Sequence, residues 1–209
     1  MTINYPKQAK ELIQLLDEDQ EKKREVGRLY FESKDKTSLK SKQAELLKSS
    51  RLQSKRMLEI LDEIGEPSLS NIGADGAQAM SVLALHGSLN TMKQVLATFN
   101  DCYRRNRDDA YYQAIPSLTD CILNLERKPQ RFGTQWLFDE NKEPYMPPIE
   151  DFDHVNERRA EYGIEPFRWP KSMAIPEDKQ PWLKRPLSEL VMREPTDEEY
   201  NDFAKDIID

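Results

Sequence analysis

Apolar residues recur at helical spacing near the start of the chain and predict a first long helix over about residues 6 to 33. Its proline at the start suits the first turn of a helix, where no N–H group is needed. Asp19 interrupts the apolar face of this helix near its middle. A charged residue therefore lies where a core residue is expected.

A second helix is predicted from about residue 38 to 64, where Gly65 and then Pro67 end it. Most of its apolar positions fall on one face. Ser50 and Ser54 lie on or beside that face, and both side chains are small. A neighbouring element is therefore expected to approach closely there.

The next apolar run is the densest in the sequence and predicts a buried central helix. Asp75 suits its N-cap position after a loop over 68–75. The run 82–85 is apolar on every side of a helix, so neighbours are expected on several sides. The same helix is expected to carry His86 and to continue as far as Phe99.

A fourth helical stretch is predicted over 111–125, with a kink or a fresh helix start at Pro116. After it, the pattern changes from helical to alternating. Residues 133–138 predict a strand, 139–142 a turn and 143–149 a return strand limited by proline. Together these segments predict one small β-hairpin.

A short helix capped by Asp153 and closed by Gly163 is predicted next. The remaining residues are rich in proline and aromatic side chains, which is typical of a segment that wraps over an existing body. A last helix is expected after Thr196, which suits its N-cap.

The fold class predicted is mainly α: a multi-helix bundle around a buried central helix, one small β-hairpin and a Pro-rich C-terminal extension. We assign residues 1–165 to the helical domain and 166–209 to the extension packed on it.

Composition fits an acidic globular protein. Of its 209 residues 37% are hydrophobic and 33% charged, the net charge is −7 and the pI is about 5.1. An acidic balance argues against general nucleic-acid binding, which needs a basic face. No apolar stretch approaches the roughly 20 residues of a membrane span, and the N-terminus lacks an apolar signal core. We therefore expect a cytoplasmic protein.

Metal, cofactor and serine-hydrolase chemistry find little support in the sequence. His86 and His154 lack the spacing of a metal-ligand pair, and the acidic residues near His154 are typical of a helix start. No Gly-x-Ser-x-Gly elbow is present. Cys102 and Cys121 lack Cys-x-x-Cys spacing and are expected to be reduced thiols. No metal and no cofactor is predicted.

Two positions on the predicted helices suit acid/base chemistry. Asp19, followed by Gln20, would be a buried carboxylate with a shifted pKa, able to act as a base or a charged anchor. The alternative is a solvated middle of the helix, which Lys22 and Lys23 favour. His86 would be a buried imidazole that a carboxylate turns into a general base, or an ordinary hydrogen-bonded core residue.

One segment directly before the predicted strand concentrates two amides, a guanidinium, a hydroxyl and a glycine: Gln130, Arg131, Phe132, Gly133, Thr134 and Gln135. Amides offer paired donors and acceptors, and arginine binds carboxylate or phosphate with two parallel hydrogen bonds. Glycine permits close approach of a ligand. These residue types suit recognition rather than nucleophilic attack. The alternative is an ordinary turn into a hairpin.

Polar motifs recur along the chain in a characteristic order: Asp19-Gln20, Gly73…Gly76-x-Gln78, His86, Asp120, Gln130-x-Phe132-Gly133-Thr134-Gln135 and Asn156-Glu157-Arg158-Arg159-Ala160-Glu161-x-Gly163. This order resembles an uncharacterised bacterial family, domain of unknown function 6624, over roughly residues 10–165. The hallmark of that family is a Gln-x-Tyr-Gly-Thr-Gln segment followed by an Asp-Glu-Arg-Arg-like helix. Here Phe132 replaces the tyrosine, and Cys121 stands where an arginine commonly follows the aspartate.

The resemblance implies no activity, but it implies that six polar residues come together: Asp19, His86, Asp120, Gln130, Gln135 and Arg158. Such a group suits a shared pocket. The alternative is a buried polar network that fixes the fold.

Two functions stay open from the sequence. In the first, a pocket binds a small polar or anionic ligand, with or without catalysis. His86 would be the acid/base group and Asp19 or Asp120 would orient it. The ligand-binding residues would be Gln20, Gln78, Gln130, Arg131, Thr134, Gln135 and Arg158. In the second, the chain is an interaction module, similar to an antitoxin or immunity protein, whose acidic body binds a basic protein partner. The first predicts a pocket that connects His86 to solvent, and the second predicts that the same residues are sealed.

Overall fold

The computed structural model of the chain describes residues 2–32, 36–138 and 144–168, and these residues are mainly helical. Their six α-helices are α1 (Pro6–Glu32), α2 (Lys36–Ile64), α3 (Leu69–Leu85), α4 (Leu89–Arg105), α5 (Ala114–Leu125) and α6 (Val155–Glu161). The prediction of a mainly α fold is confirmed. None of the helices in the described part is long and apolar enough to cross a bilayer.

Contacts divide the described residues into two compact units, one ending at Tyr111 and the other beginning at Tyr112. Helices α1 to α4 belong to unit 1, and α5, α6 and two short strands belong to unit 2. The strands β1 (Leu137–Phe138) and β2 (Pro144–Tyr145) pair antiparallel. The residues that join them lie outside the described part, so the predicted hairpin stays a prediction.

Unit 1 is built on the two long helices that the apolar spacing predicts, each within two residues of its expected ends. Helix α1 packs against α2 and α3, and α3 also packs against α2 and α4. Burial of apolar surface between them is the main stabilising contribution. The largest fully buried apolar side chains of this unit are Phe99, Leu12, Met57, Ile60, Ile72, Met80 and Leu83.

The start of α3 differs from the prediction. Ser68, not Asp75, is the N-cap, and its side-chain oxygen accepts a hydrogen bond of 3.2 Å from the Asn71 N–H. Gly73 then interrupts the helical backbone with φ 68° and ψ 174°. Glycine adopts such a positive φ without strain, so α3 continues beyond this kink.

The end of α3 also differs, because the helix does not continue to Phe99. It ends at Leu85, with His86 at the C-cap, and α4 begins after Ser88. The Ser88 side chain accepts a hydrogen bond of 3.1 Å from the Thr91 N–H. Between the caps lies Gly87, where an added Cβ would come within 2.9 Å of the Ser54 hydroxyl. The close approach expected at Ser54 is therefore present.

Unit 2 begins with α5, in which Pro116 lies in the first turn, so the predicted fresh helix start is confirmed. The strand predicted over 133–138 is shorter in the structure, where only Leu137 and Phe138 form β1. Before the strand, Gln130 forms an isolated parallel bridge with Ile149. A small apolar cluster of this unit contains Met146, Ile149 and Val155, packed against Trp136, Phe152 and Phe167.

The start of α6 corrects another expectation. Asp153 does not cap the helix; it lies inside a 3-10 turn, Phe152–His154, and no side chain caps α6. Gly163 follows the helix with φ 61° and donates to the Ala160 carbonyl at 3.1 Å, which confirms its closing role.

Some expectations lie beyond the described residues. The Thr196-capped helix and nearly all of the extension 166–209 fall outside them. The single domain over 1–165 and the bundle around a central helix stay predictions. Cys102 and Cys121 are not joined by a disulfide bond, and burial raises the pKa of Cys102 to about 11.

Candidate functional site

The side chain of Asp19 is fully buried on the inward face of α1, so of the two alternatives left open by the sequence the structure has the buried carboxylate and not the solvated one. Its Oδ2 atom lies 2.6 Å from Nδ1 of His86, the C-cap of α3. Ser50 donates to Oδ1 at 3.5 Å, and Gln20 donates to Oδ2 at 3.4 Å. A buried carboxylate needs such partners because its desolvation is costly.

Two opposing effects act on the pKa of Asp19. Burial raises it, but the hydrogen bond and the charge of His86, with smaller contributions from Lys23 and Ser50, outweigh burial and lower the pKa below its ordinary value. The carboxylate is therefore ionised and can only accept. His86 then donates from Nδ1, which leaves Nε2 as the ring atom that can take up or release a proton.

His86 is not sealed inside unit 1. Its side chain is 18% exposed and lines a cavity of about 450 Å³. Helix α2, and the N-cap and first turn of α4, supply the other polar lining residues: Ser50, Arg51, Ser54, Lys55, Ser88 and Thr91. The Asp19–His86 pair therefore lies at the wall of a space large enough for a small molecule.

In unit 2, the fully buried Asp120 of α5 organises the segment that follows Gln130. Its Oδ1 accepts the N–H groups of Arg131 at 2.7 Å and Phe132 at 3.1 Å. Its Oδ2 accepts the N–H and the hydroxyl of Thr134, both at 2.9 Å. The loop wraps around one carboxylate, and Gly133 permits this with φ 63°.

The electrostatics of this loop reflect its burial. Burial raises the pKa of Asp120 above its ordinary value, although the four hydrogen bonds that its carboxylate accepts act in the opposite direction. Burial also lowers the pKa of Arg159, against the charge of Asp120. Both oxygens of Asp120 already accept two bonds each. Asp120 is thus placed to hold the loop rather than to contact a ligand.

Gln130 is fully buried and uses its amide in the same way. Its Oε1 accepts the N–H of Gln135 at 2.8 Å, and its Nε2 donates to the carbonyls of Gln135 at 3.1 Å and Pro147 at 3.3 Å. The Gln135 side chain donates to the Ser117 carbonyl at 3.4 Å and to the Thr134 hydroxyl. The two side-chain amides therefore connect the loop to Pro147 and to Ser117 of α5.

The two arginines of α6 complete this network. Arg158 donates to the carbonyls of Arg131 at 2.8 Å, Asp151 at 2.9 Å and Glu150. Arg159 donates to the Phe132 carbonyl at 2.6 Å. Both guanidinium groups thus bind main chain. The Arg131 side chain is exposed, although its main chain takes part in the network.

Unit 2 has a cavity of its own, of about 520 Å³, beside the loop. It is lined in part by Gly133, Thr134, Trp136 and Arg159. The polar atoms of Thr134 and Arg159 are engaged with Asp120 and with main-chain carbonyls. The loop's polar groups are therefore directed inward more than toward this space.

The predicted site residues fall into two groups. Unit 1 contains Asp19, Gln20 and His86, which lie together, and Gln78, which is exposed on α3. Unit 2 contains the connected set Asp120, Gln130, Arg131, Thr134, Gln135 and Arg158. One site that draws on all of them stays a prediction. The described residues hold no cluster of three or more histidine, cysteine or acidic side chains placed for a metal ion.

The sequence did not single out the two cations that line the His86 cavity or the start of α4 beside them. Arg51 and Lys55 are exposed on α2 and are spaced like any solvated pair, one helical turn apart. The start of α4 was hidden within a predicted longer helix. Only Gly87-Ser88, a typical helix-ending glycine followed by a typical N-cap residue, signals it.

No family model, no curated protein and no solved structure matches this chain. The resemblance to domain of unknown function 6624 therefore stays a prediction.

Proposed function

We propose that the protein binds a small polar or anionic molecule in the cavity beside His86, and that His86 exchanges a proton with it. One observation carries the proposal: His86 bonds the buried Asp19 at 2.6 Å and also lines a cavity of about 450 Å³. A fixed histidine at the wall of a ligand-sized space has the geometry of a general acid/base.

The roles of the two side chains follow from their chemistry. Asp19 is ionised and buried, so it accepts the hydrogen bond from Nδ1 of His86 and fixes the orientation of the ring. The Nε2 atom of His86 takes a proton from a bound molecule or gives one to it. Nearby Arg51 and Lys55 favour a negatively charged ligand over a neutral one.

The accessibility of His86 supports this function over the alternative. An interaction module that binds a basic protein partner requires no open space at the histidine, and its polar residues would be sealed. The His86 side chain is 18% exposed. In unit 2, by contrast, Asp120 and Gln130 have the contacts of a buried network, so we propose positioning roles for them.

Broader expectations accompany the proposal. We infer a cytoplasmic bacterial protein of the family that its motifs resemble, with helices bundled around α3. The contacts of α3 with α1, α2 and α4 support the bundle.

A thermal-shift screen tests the function, using small anionic and neutral polar compounds with the full chain. We expect at least one compound to raise the melting temperature of the wild type. In His86→Gln the affinity for that compound should fall about tenfold or more, since a charge-assisted contact is lost. The matched control is His154→Gln, which changes the only other histidine, an exposed one.

Two results would count against the function. Either no compound shifts the wild type, or His86→Gln responds to the compound as strongly as His154→Gln does. The second result would place binding elsewhere in the molecule.

A further inference from the structure

The His86 cavity lacks acidic lining although the chain carries a net charge of −7. None of its lining residues in the described part is Asp or Glu. Arg51 and Lys55, one helical turn apart on α2, are both exposed there. Neither makes an ion pair or hydrogen bond within the described residues. Two cations without a counter-charge at one cavity favour an anionic occupant.

The N-cap and first turn of α4 reach the same cavity, which Gly87, Ser88 and Thr91 line. Helix α4 is 17 residues long, so its N-terminus carries the partial positive charge of a full helix. Ser88 caps the N–H of Thr91. The N–H groups of Leu89 and Asn90 have no partner among the described residues. Such an end is suited to bind an anion.

Ser54 gives an independent indication of a ligand at this position. Its side chain is only 7% exposed, and its hydroxyl has no hydrogen-bond partner within the described part of the chain. The hydroxyl faces Gly87, since an added Cβ there would lie 2.9 Å from it. A buried hydroxyl without a partner is rare and costs stability. An oxygen atom of a ligand at the start of α4 would supply the missing partner.

We infer that this cavity binds a phosphomonoester, whose phosphate group lies between Arg51 and Lys55 of α2 and the N-terminus of α4, within reach of the Ser54 hydroxyl. The inference rests on the proposed function, because it names the ligand class of the same site. A phosphate with three terminal oxygens can use a guanidinium, an ammonium, a hydroxyl and helix N–H groups together. A carboxylate has only two oxygens for them.

The organic part of the ligand has room in the same space. The cavity measures about 450 Å³, and Leu47 and Leu58 of α2 supply apolar lining. His86 is at the wall of the same cavity. A phosphomonoester held by its phosphate would therefore extend along a surface that contains both leucines and the histidine.

Titration calorimetry of the full chain with phenyl phosphate tests the inference, with benzoate as the carboxylate of similar size and inorganic phosphate as the bare anion. Phenyl phosphate should bind about tenfold or more tightly than benzoate. Arg51→Gln and Lys55→Gln should each weaken phenyl phosphate about tenfold. Lys48→Gln, which removes an exposed α2 lysine outside the cavity, should bind as the wild type does.

Ser54→Ala separates a ligand contact from a structural role. Removal of an unpartnered hydroxyl should raise the melting temperature of the free protein, while the affinity for phenyl phosphate should fall about fivefold. If the substitution leaves that affinity unchanged, the hydroxyl does not contact the phosphate and the proposed placement is wrong.

The results distinguish this inference from the proposed function. If phenyl phosphate fails to bind while another compound binds in a His86-dependent way, the ligand class is wrong and the function stands. If phenyl phosphate binds equally well to Arg51→Gln, Lys55→Gln and the wild type, the phosphate site is overturned. If phenyl phosphate needs Arg51 and Lys55 but is indifferent to His86→Gln, the phosphate site stands and the acid/base function fails.

Discussion

At the scale of single residues, Asp19 is expected to make the stability of the protein depend on pH. Its pKa is lowered because His86 outweighs the effect of burial. A carboxyl group with a lowered pKa stabilises the fold fully above its ordinary value of 3.8, and this contribution is lost as the pH falls through the folded value. Asp19→Asn keeps the shape and removes the charge. Near neutral pH it should lower the free energy of unfolding by about 2 kcal/mol.

Urea unfolding over an acidic to neutral pH series measures this effect. The difference between wild type and Asp19→Asn should shrink as the pH falls below 3.8. Asp17→Asn, on the exposed side of α1, should differ little from the wild type at any pH. A difference for Asp19→Asn that is the same at acidic and neutral pH would show that its charge contributes nothing.

At the scale of elements, Arg56 joins α2 to α1. Its Nε and Nη2 atoms bond the two carboxylate oxygens of Glu11 at 2.6 and 2.9 Å. The hydrogen bond with Arg56 lowers the pKa of Glu11, against burial, so the bond stabilises the fold above pH 4.5 and less as the pH falls. Lysine cannot make the paired bond. Arg56→Lys should cost only about 1 kcal/mol, because both side chains are partly exposed.

Thermal unfolding of Arg56→Lys at neutral and at acidic pH checks this prediction, and the loss should be smaller at acidic pH. Arg104→Lys is the matched control, since Arg104 pairs with Asp101 on the surface of α4. If both variants lose the same small amount, the paired bond between α1 and α2 gives no more than a surface ion pair.

The loop 131–134 depends on α5 through one carboxylate. Asparagine at position 120 has one acceptor oxygen, and its NH₂ group would face donors. Asp120→Asn should therefore cost about 3 kcal/mol. Hydrogen exchange should accelerate at the amides of Arg131, Phe132 and Thr134, which donate to Asp120. Glu157→Gln, an exposed change on α6, should leave those rates unchanged. Unchanged rates in Asp120→Asn would mean that the loop does not need the carboxylate.

At the scale of the whole molecule, apolar spacing was enough to predict the mainly α fold and the ends of α1 and α2. It missed the break between α3 and α4, because Met92, Val95 and Phe99 continue the apolar pattern and are buried like the residues before it. Apolar residues at helical spacing indicate which positions are buried. They do not indicate that one helix has ended and another has begun. The cap residues Gly87 and Ser88 carried the only local signal.

The candidate site was predicted in part. Asp19 and His86 were identified because each is a polar residue on an apolar surface. Arg51 and Lys55 could not be identified, because the sequence does not show which neighbouring element lies beside a cation on a helix surface. The segment 130–135 was identified because it contains many polar residues. The sequence does not show that their polar groups bond to the loop itself and to Asp120.

Helix α2 carries two different tasks within one and a half turns. Arg51, Ser54 and Lys55 line the cavity, and Arg56 reaches α1. Each residue added to a helix rotates everything after it by about 100°. A single-codon insertion between Arg51 and Lys55 would rotate Lys55 and Arg56 together away from Arg51, so the cavity and the contact with α1 could not both keep their residues. The function of this short stretch therefore depends on its length as well as on its side chains.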